Sequence, residues 1–166
     1  MRQPPAVLLA VCALAMCVPA AVAGDREGLL LGGTFGFNAG NSCDQCDLVA
    51  GPSLGAYVGW TVVPRLAVLA EGSFHVFSDG GEASSVYPGI IGAVQYFPIR
   101  WLWLGGGAGI SGTESGDTGP IAVAQAGIDF RGRSQFGIDL RGRYERRIDK
   151  SDGRRTVVVS VGFTWY

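Results

Sequence analysis

The sequence predicts an all-β protein, an eight-stranded antiparallel up-and-down transmembrane β-barrel that follows a cleaved signal peptide. Three observations predict this class: an export signal at the start, a series of short alternating segments in the middle, and a last segment, Thr156 to Tyr166, with apolar residues at every second position. A strand at the end of the chain has to pair with an earlier strand if its edge is to be covered. We therefore expect the sheet to close on itself.

The first residues are typical of a signal peptide. Arg2 precedes an almost wholly apolar run from Ala6 to Val18, and Ala21 to Ala23 has the small-x-small pattern of a cleavage site. A lipoprotein signal is the alternative, since Cys12 and Cys17 lie in the run, but each follows a bulky residue where lipid attachment needs a small one. We expect residues 1–23 to be removed and residues 24–166 to form one barrel domain.

Composition excludes several classes of protein. With 27 glycines, 48% hydrophobic residues and 16% charged residues, the chain is too apolar for disorder and too rich in glycine for long helices. The net charge of −1 and the absence of a basic face with interleaved aromatic residues argue against binding of nucleic acid.

Alternation and turn residues place the strands. They are predicted at Leu29 to Asn38, Ser53 to Val62, Leu66 to Phe77, Val86 to Phe97, Trp101 to Ser111, Ile121 to Phe130, Phe136 to Arg147 and Thr156 to Tyr166. Each strand is close to the ~9–11 residues that a tilted strand needs to cross a bilayer. Long and short connections alternate, as in outer-membrane barrels of Gram-negative bacteria, and an even number of strands leaves both termini in the periplasm.

Charge divides the connections into two groups. The first three long ones contain only acids among their charged residues, namely Asp44, Asp47, Asp79, Glu82, Glu114 and Asp117, whereas the short ones contain Arg65, Arg100, Arg131 and Arg133. Solvation of exposed loops explains this pattern. The alternative is that the acidic loops share divalent cations with the phosphates of lipopolysaccharide, because carboxylate oxygens suit hard cations. Outer-membrane lipids and lipopolysaccharide are thus the expected surroundings.

One face of each strand is apolar. A soluble barrel would turn this face inward, whereas a membrane barrel turns it outward to lipid, which is the arrangement we expect. In the last strand this face contains Val157, Val159, Val161, Phe163 and Trp165. Large aromatic residues cluster beside the short connections, as an interfacial girdle would place them: Trp60, Tyr96, Phe97, Trp101, Phe136 and Trp165.

The opposite faces contain charges that would point into the barrel. The predicted lumen network consists of Glu71, His75, Gln125, Asp129, Asp139, Arg141 and Arg143. In a ring of eight, the third and seventh strands stand opposite each other, so an ion pair between Glu71 and Arg141 is expected across the lumen. The network either fills a narrow interior or acts as a gate or proton path; we expect the structural role, because buried charges must be paired.

Cys43 and Cys46 lie in the first long connection and are expected to form a disulfide in an oxidising compartment. The Cys-x-x-Cys spacing is also found in redox and zinc sites, but a redox site needs a helix start and a zinc site needs two more ligands. We expect no metal and no cofactor.

A catalytic role is not expected. Acyl transfer needs a serine activated by a histidine and oriented by an acid, but His75 is the single histidine and the serine after it, Ser78, is three residues away. A lone histidine of this kind is more often a hydrogen-bonded structural residue. The sequence therefore predicts a protein that is not an enzyme.

The export signal, the Gly-x-Gly strand from Gly105 to Ser111, the Arg141-Gly-Arg-Tyr144 segment and the aromatic terminus resemble the small outer-membrane β-barrel superfamily, which includes the transmembrane domain of outer membrane protein A. The resemblance implies insertion by the barrel assembly machinery, which reads the last strand, and here its signal would be Phe163, Trp165 and Tyr166. Tyr166 lies in the opposite phase from the usual final aromatic residue.

The predicted function is that of an integral outer-membrane barrel, a monomer with a structural or envelope-surface role and a lumen filled by side chains. A narrow pore, an adhesin and a soluble periplasmic lipocalin-like carrier are the alternatives. A soluble carrier should have an apolar lumen and a helix near its end, and the sequence predicts neither.

Overall fold

A computed structural model describes residues 28–41, 48–79, 82–112, 116–131, 135–148 and 154–166. Its strands are β1 Gly28–Asn41, β2 Val49–Val63, β3 Leu66–Asp79, β4 Glu82–Ile99, β5 Leu102–Gly112, β6 Thr118–Arg131, β7 Phe136–Arg147 and β8 Arg155–Trp165. The predicted signal peptide lies outside the described residues.

The sheet is a closed barrel in which every strand is antiparallel to the strands before and after it. Closure is made by β8 against β1, with register partners running from Leu31 with Trp165 to Asn41 with Arg155. The last strand thus pairs with the first strand, and none of the eight described strands has an open edge. No helix in the described part of the chain is long and apolar enough to cross a membrane.

The polarity of the barrel is the reverse of that of a soluble protein. Large apolar side chains such as Phe35, Leu54, Phe74 and Trp165 are exposed on the outside, while Glu71 and other charged residues are buried inside. Burial alternates at every residue of β7 and β8, because successive side chains of a strand point to opposite faces. An apolar exterior around a polar interior is the pattern of a barrel surrounded by lipid.

The strands are longer than the sequence predicted at one end of the barrel. We call this the loop end, where β1 connects to β2, β3 to β4, β5 to β6 and β7 to β8; the other end is the short-turn end. At the loop end, Asn38 to Gly40 pair with Val49 to Gly51, and β4 begins at Glu82. The predicted end of the first strand at Asn38 and the predicted start of the fourth at Val86 were wrong, because hydrogen bonding between strands continues where apolar alternation has stopped.

The aromatic girdle at the short-turn end contains Trp60, Trp101, Phe136 and Trp165, which are all exposed on the outside. Phe97 was assigned to this girdle incorrectly. It is buried in the lumen with the apolar cluster of Trp103 and others, because it shares the inward phase of β4.

Candidate functional site

The charged interior is centred on β7. Its inward residues are Asp139, Arg141, Arg143, Glu145 and Arg147, and each is at most 6% exposed. They alternate with outward residues of mostly apolar type, so the period of two of the strand places the whole charged row on the lumen side. Ionised groups at this burial need partners of opposite charge.

Glu71 of β3 supplies one partner from across the lumen. Arg141 Nη1 lies 3.6 Å from Glu71 Oε2, and Arg143 Nη2 contacts the other carboxylate oxygen, Oε1. Arg141 Nε also donates to Asp139 Oδ1 at 3.1 Å. Glu71 therefore contacts two arginines of the opposite wall. These side chains connect β3 with β7, which are not neighbours in the sheet.

Two aromatic rings lie close to the Arg141 guanidinium. Its central carbon is 4.9 Å from the ring centre of Tyr57 and 4.9 Å from that of Trp103, which is within the range of cation–π attraction. The Tyr57 hydroxyl contacts the Thr164 hydroxyl. Gly127 makes room for Trp103, because a Cβ atom there would lie 2.5 Å from the indole ring.

His75 forms a second part of the network. Its Nδ1 is 3.0 Å from the Ser53 hydroxyl oxygen, and its Nε2 is 3.3 Å from Glu145 Oε1. Ser53 stands opposite His75 in the register of β2 and β3, which is why the two meet. A serine, a histidine and an acid in this order are the groups that acyl transfer uses. Here, however, Glu145 also accepts from Arg143 Nη1 at 3.2 Å, and the serine is buried.

The predicted residues on β6 occupy two different levels. Gln125 lies beside the centre of the network, where its Oε1 is 3.4 Å from Arg143 Nε. Asp129 lies nearer the short-turn end, opposite Asp139 in register. Its Oδ2 accepts a hydrogen bond of 2.6 Å from the Tyr166 hydroxyl.

Tyr166 therefore points towards the interior, whereas Trp165 is exposed on the outside. The Arg131 guanidinium lies 4.1 Å from the centre of the Tyr166 ring, and the ring packs against the buried apolar cluster. The two last residues of the chain thus face lumen and exterior respectively, as their phase requires.

Two further arginines lie in the interior near the loop end. Arg147 Nη1 is 3.0 Å from Asp117 Oδ2, while Arg154 donates to the Ser111 hydroxyl at 2.6 Å and lies over the Tyr87 ring at 4.3 Å. Sequence reasoning missed both. Arg147 shares the inward phase of β7, and Arg154, one residue before β8, shares the inward phase of that strand, so alternation could have found both.

The buried charges balance within the described part of the chain. Four carboxylates, Glu71, Asp129, Asp139 and Glu145, face four guanidiniums, Arg141, Arg143, Arg147 and Arg154. A cavity beside Arg141 and Tyr57 measures about 10 Å³, roughly the space of one water molecule. No group of three or more metal-binding side chains occurs among the described residues. Cys43 and Cys46 lie outside them.

No protein-family model matches the chain, and no curated protein matches its sequence. Solved structures do match its fold. Neisserial surface protein A is 13% identical, with 86% of this chain and 99% of that chain covered and a TM-score of 0.68. The N-terminal β-barrel domain of Pseudomonas aeruginosa OprF is 12% identical over 85% and 100% of the two chains, with a TM-score of 0.54. Outer membrane protein AlkL, determined in lipid bilayers, is 15% identical over 89% and 93%, with a TM-score of 0.52.

These likenesses extend over nearly the full length of each solved barrel. At such low identity they concern the fold of the backbone alone. The chain has the fold of the small eight-stranded barrels of the bacterial outer membrane.

Proposed function

We propose that this protein is a monomeric, integral barrel of a Gram-negative outer membrane, with a structural or envelope-surface role that is not catalytic. The observation that supports this most strongly is the combination of an apolar exterior with a charge-balanced interior. Such a molecule would expose its apolar face to water in any aqueous compartment, whereas lipid satisfies that face. A soluble lipocalin-like carrier would need the opposite polarity.

The contacts of the interior favour a lumen filled by packed side chains over an open pore. Arg141 is in contact with groups from four strands: Asp139 on its own strand, Glu71 on β3, Tyr57 on β2 and Trp103 on β5. An eight-stranded barrel has room for little beyond such side chains. The same packing argues against a gate, because a gate would need an alternative set of partners for each of these groups.

Both termini would lie in the periplasm and the loop end would face outward. The last strand then carries the assembly signal read by the barrel assembly machinery, formed by Phe163 and Trp165 on the lipid face and by Tyr166. Both outward aromatics are exposed at the short-turn end, and Phe163 stacks with Phe136 at 6.0 Å. Residues 1–23 would direct export before this step.

Membrane fractionation tests the proposal. The full-length chain, expressed in a Gram-negative host, should be recovered in outer membranes, and its band should shift on gel electrophoresis when the sample is boiled. In planar bilayers the folded protein should show no channel of defined conductance. Recovery in the soluble periplasmic fraction without a boiling shift would contradict the membrane assignment. A stable open channel would contradict a lumen filled by side chains.

A further inference from the structure

The chain ends with a side chain that lies at the short-turn mouth of the lumen. Tyr166 follows the outward-facing Trp165 and so takes the inward phase of β8. The inward residue before it, Thr164, is buried, whereas Tyr166 itself is partly exposed. Tyr166 is therefore the outermost inward-facing residue after β8, at the boundary between the buried lumen and its surroundings.

Several contacts fix the position of the Tyr166 side chain. Its hydroxyl donates to Asp129 Oδ2 at 2.6 Å, and hydrogen bonds to a carboxylate are among the strong ones. Its ring packs against the buried apolar cluster, and the ring centre lies 4.1 Å from the guanidinium carbon of Arg131. Gly137 makes room for the ring, because a Cβ atom there would lie 3.2 Å from a ring carbon. The end of a chain is usually poorly ordered unless it is tied down, as Tyr166 is here.

The Tyr166 side chain borders two separate spaces. One is the interior cavity of about 10 Å³, which Trp103 also lines. The other is a recess of about 530 Å³, lined also by Leu29, Leu31 and Trp165. Because Trp165 belongs to the aromatic girdle, this recess lies where the bilayer would meet water. Tyr166 thus separates a space the size of one water molecule from a space that admits small solutes.

The interior cavity suits a water molecule. A buried water occupies about this volume and makes about two to four hydrogen bonds to polar groups, whereas cavities with apolar walls stay dry. Polar side chains from four strands border this cavity, and each is at most 6% exposed: Tyr57 of β2, Gln95 of β4, Asp139 and Arg141 of β7, and Thr164 of β8.

We propose that the Tyr166 ring is a lid that closes the lumen at the short-turn end, over a polar chamber that takes one water molecule and no larger solute. The lid goes beyond the proposed function, because it determines what reaches the buried charges from this end. It requires no particular orientation of the barrel in the membrane. Removing the lid should open the chamber without making a channel, since the contact of Arg141 with Glu71 still crosses the lumen.

Quenching of Trp103 fluorescence by acrylamide tests the lid. In the folded full chain in detergent micelles, phenylalanine replaces Trp60, Trp101 and Trp165, so that all tryptophan emission comes from Trp103, which lines the chamber and is 2% exposed. Acrylamide is a neutral, water-soluble quencher that is larger than a water molecule. With Tyr166 in place it should quench Trp103 little. Tyr166→Ala should raise the quenching constant severalfold, because the chamber then joins the recess.

Two control variants separate the lid from a general loosening of the barrel. Tyr166→Phe keeps the ring against the apolar cluster, so Trp103 should be quenched as little as with tyrosine. Tyr144→Ala makes the same change at a tyrosine that is exposed on the outer face of β7, and it should also leave Trp103 protected.

The lid would be overturned if Trp103 were strongly quenched with Tyr166 in place, or if Tyr166→Ala left the quenching unchanged. It would also be overturned if Tyr166→Phe or Tyr144→Ala raised the quenching as much as Tyr166→Ala. The boiling shift shows beforehand that each variant is folded. If Tyr166→Ala lacks the shift, Tyr166→Leu carries the same expectation, because a leucine is too short to reach Asp129 and covers less of the mouth. Unchanged quenching in shifted variants refutes the lid alone, whereas a parent chain without the shift refutes the proposed membrane barrel first.

Discussion

Replacing Arg141 with alanine should destabilise the barrel more than any change on its outer surface. The substitution removes the cationic partner of Asp139, which lies 3.1 Å away, and one of the two cationic partners of Glu71, and both carboxylates are 2% exposed. Breaking a buried ion pair from one side costs about 3–5 kcal/mol, since a charge is left without compensation. Glu71 keeps Arg143, so most of this loss should come from Asp139.

The measurement is the free energy of unfolding in urea, with the folded chain in micelles and tryptophan fluorescence as the signal. Arg146→Ala is the matched control, because it makes the same change on the same strand but on the outer face; it should change stability by less than about 0.5 kcal/mol. Adding Asp139→Asn to Arg141→Ala should recover about 1–3 kcal/mol, because the unpaired carboxylate is removed.

The reasoning would be refuted if Arg141→Ala lost no more stability than Arg146→Ala, or if the second substitution gave no recovery. Conductance measurements distinguish a packing role of the lumen network from a role as a gate. Lower stability without a channel supports packing, whereas a new open channel in Arg141→Ala would support a gate.

The remaining predictions concern close packing, the chain terminus and the first loop. Gly162→Ala should lower the unfolding free energy by about 1–3 kcal/mol, because its Cβ would lie 2.7 Å from the buried carboxyl carbon of Asp139. Gly142→Ala should leave the unfolding free energy unchanged, because no atom lies within 4 Å of the Cβ it would add. Equal effects of the two substitutions in urea unfolding would contradict this. Tyr166→Phe should cost about 1.5–3 kcal/mol through a lost hydrogen bond to a carboxylate while outer-membrane insertion stays normal, and failed insertion on fractionation would show that the phenol belongs to the assembly signal. Cys43 and Cys46 should give no free thiols in a thiol titration of the unreduced mature chain; two free thiols would exclude the disulfide.

The residues that share a face of the last strand could be predicted from sequence because this depends only on local alternation. Val157 to Trp165 show this: the period of two assigns the face, and the exposed side chains of β8 have that phase. The strand bounds at the loop end could not be predicted in the same way. Past Asn38 the pairing continues through Ala39 and Gly40 with β2 and through Asn41 with β8, and these residues give no alternating apolar signal.

Glu71 and Arg141, which the sequence placed opposite each other from strand number and depth, lie 3.6 Å apart. Contacts of the interior that depend on register were beyond sequence reasoning. The contact of Ser53 with His75 requires the alignment of β2 with β3. Tyr166 reaches a carboxylate 37 residues away, and only its phase was visible in the sequence. Glu145 shows the intermediate case, because its inward phase could be predicted but its role as a partner of both His75 and Arg143 could not.

Fluorescence quenching by brominated lipids tests the central claim, that the apolar face of this barrel contacts lipid, most directly. The chain contains four tryptophans: Trp60, Trp101 and Trp165 are more than half exposed on the outside, while Trp103 is 2% exposed in the lumen. In reconstituted vesicles, a variant that keeps only the three outer tryptophans should be strongly quenched by lipids brominated on their acyl chains. A variant that keeps only Trp103 should be quenched little. Strong quenching of Trp103 together with unquenched outer tryptophans would contradict the account.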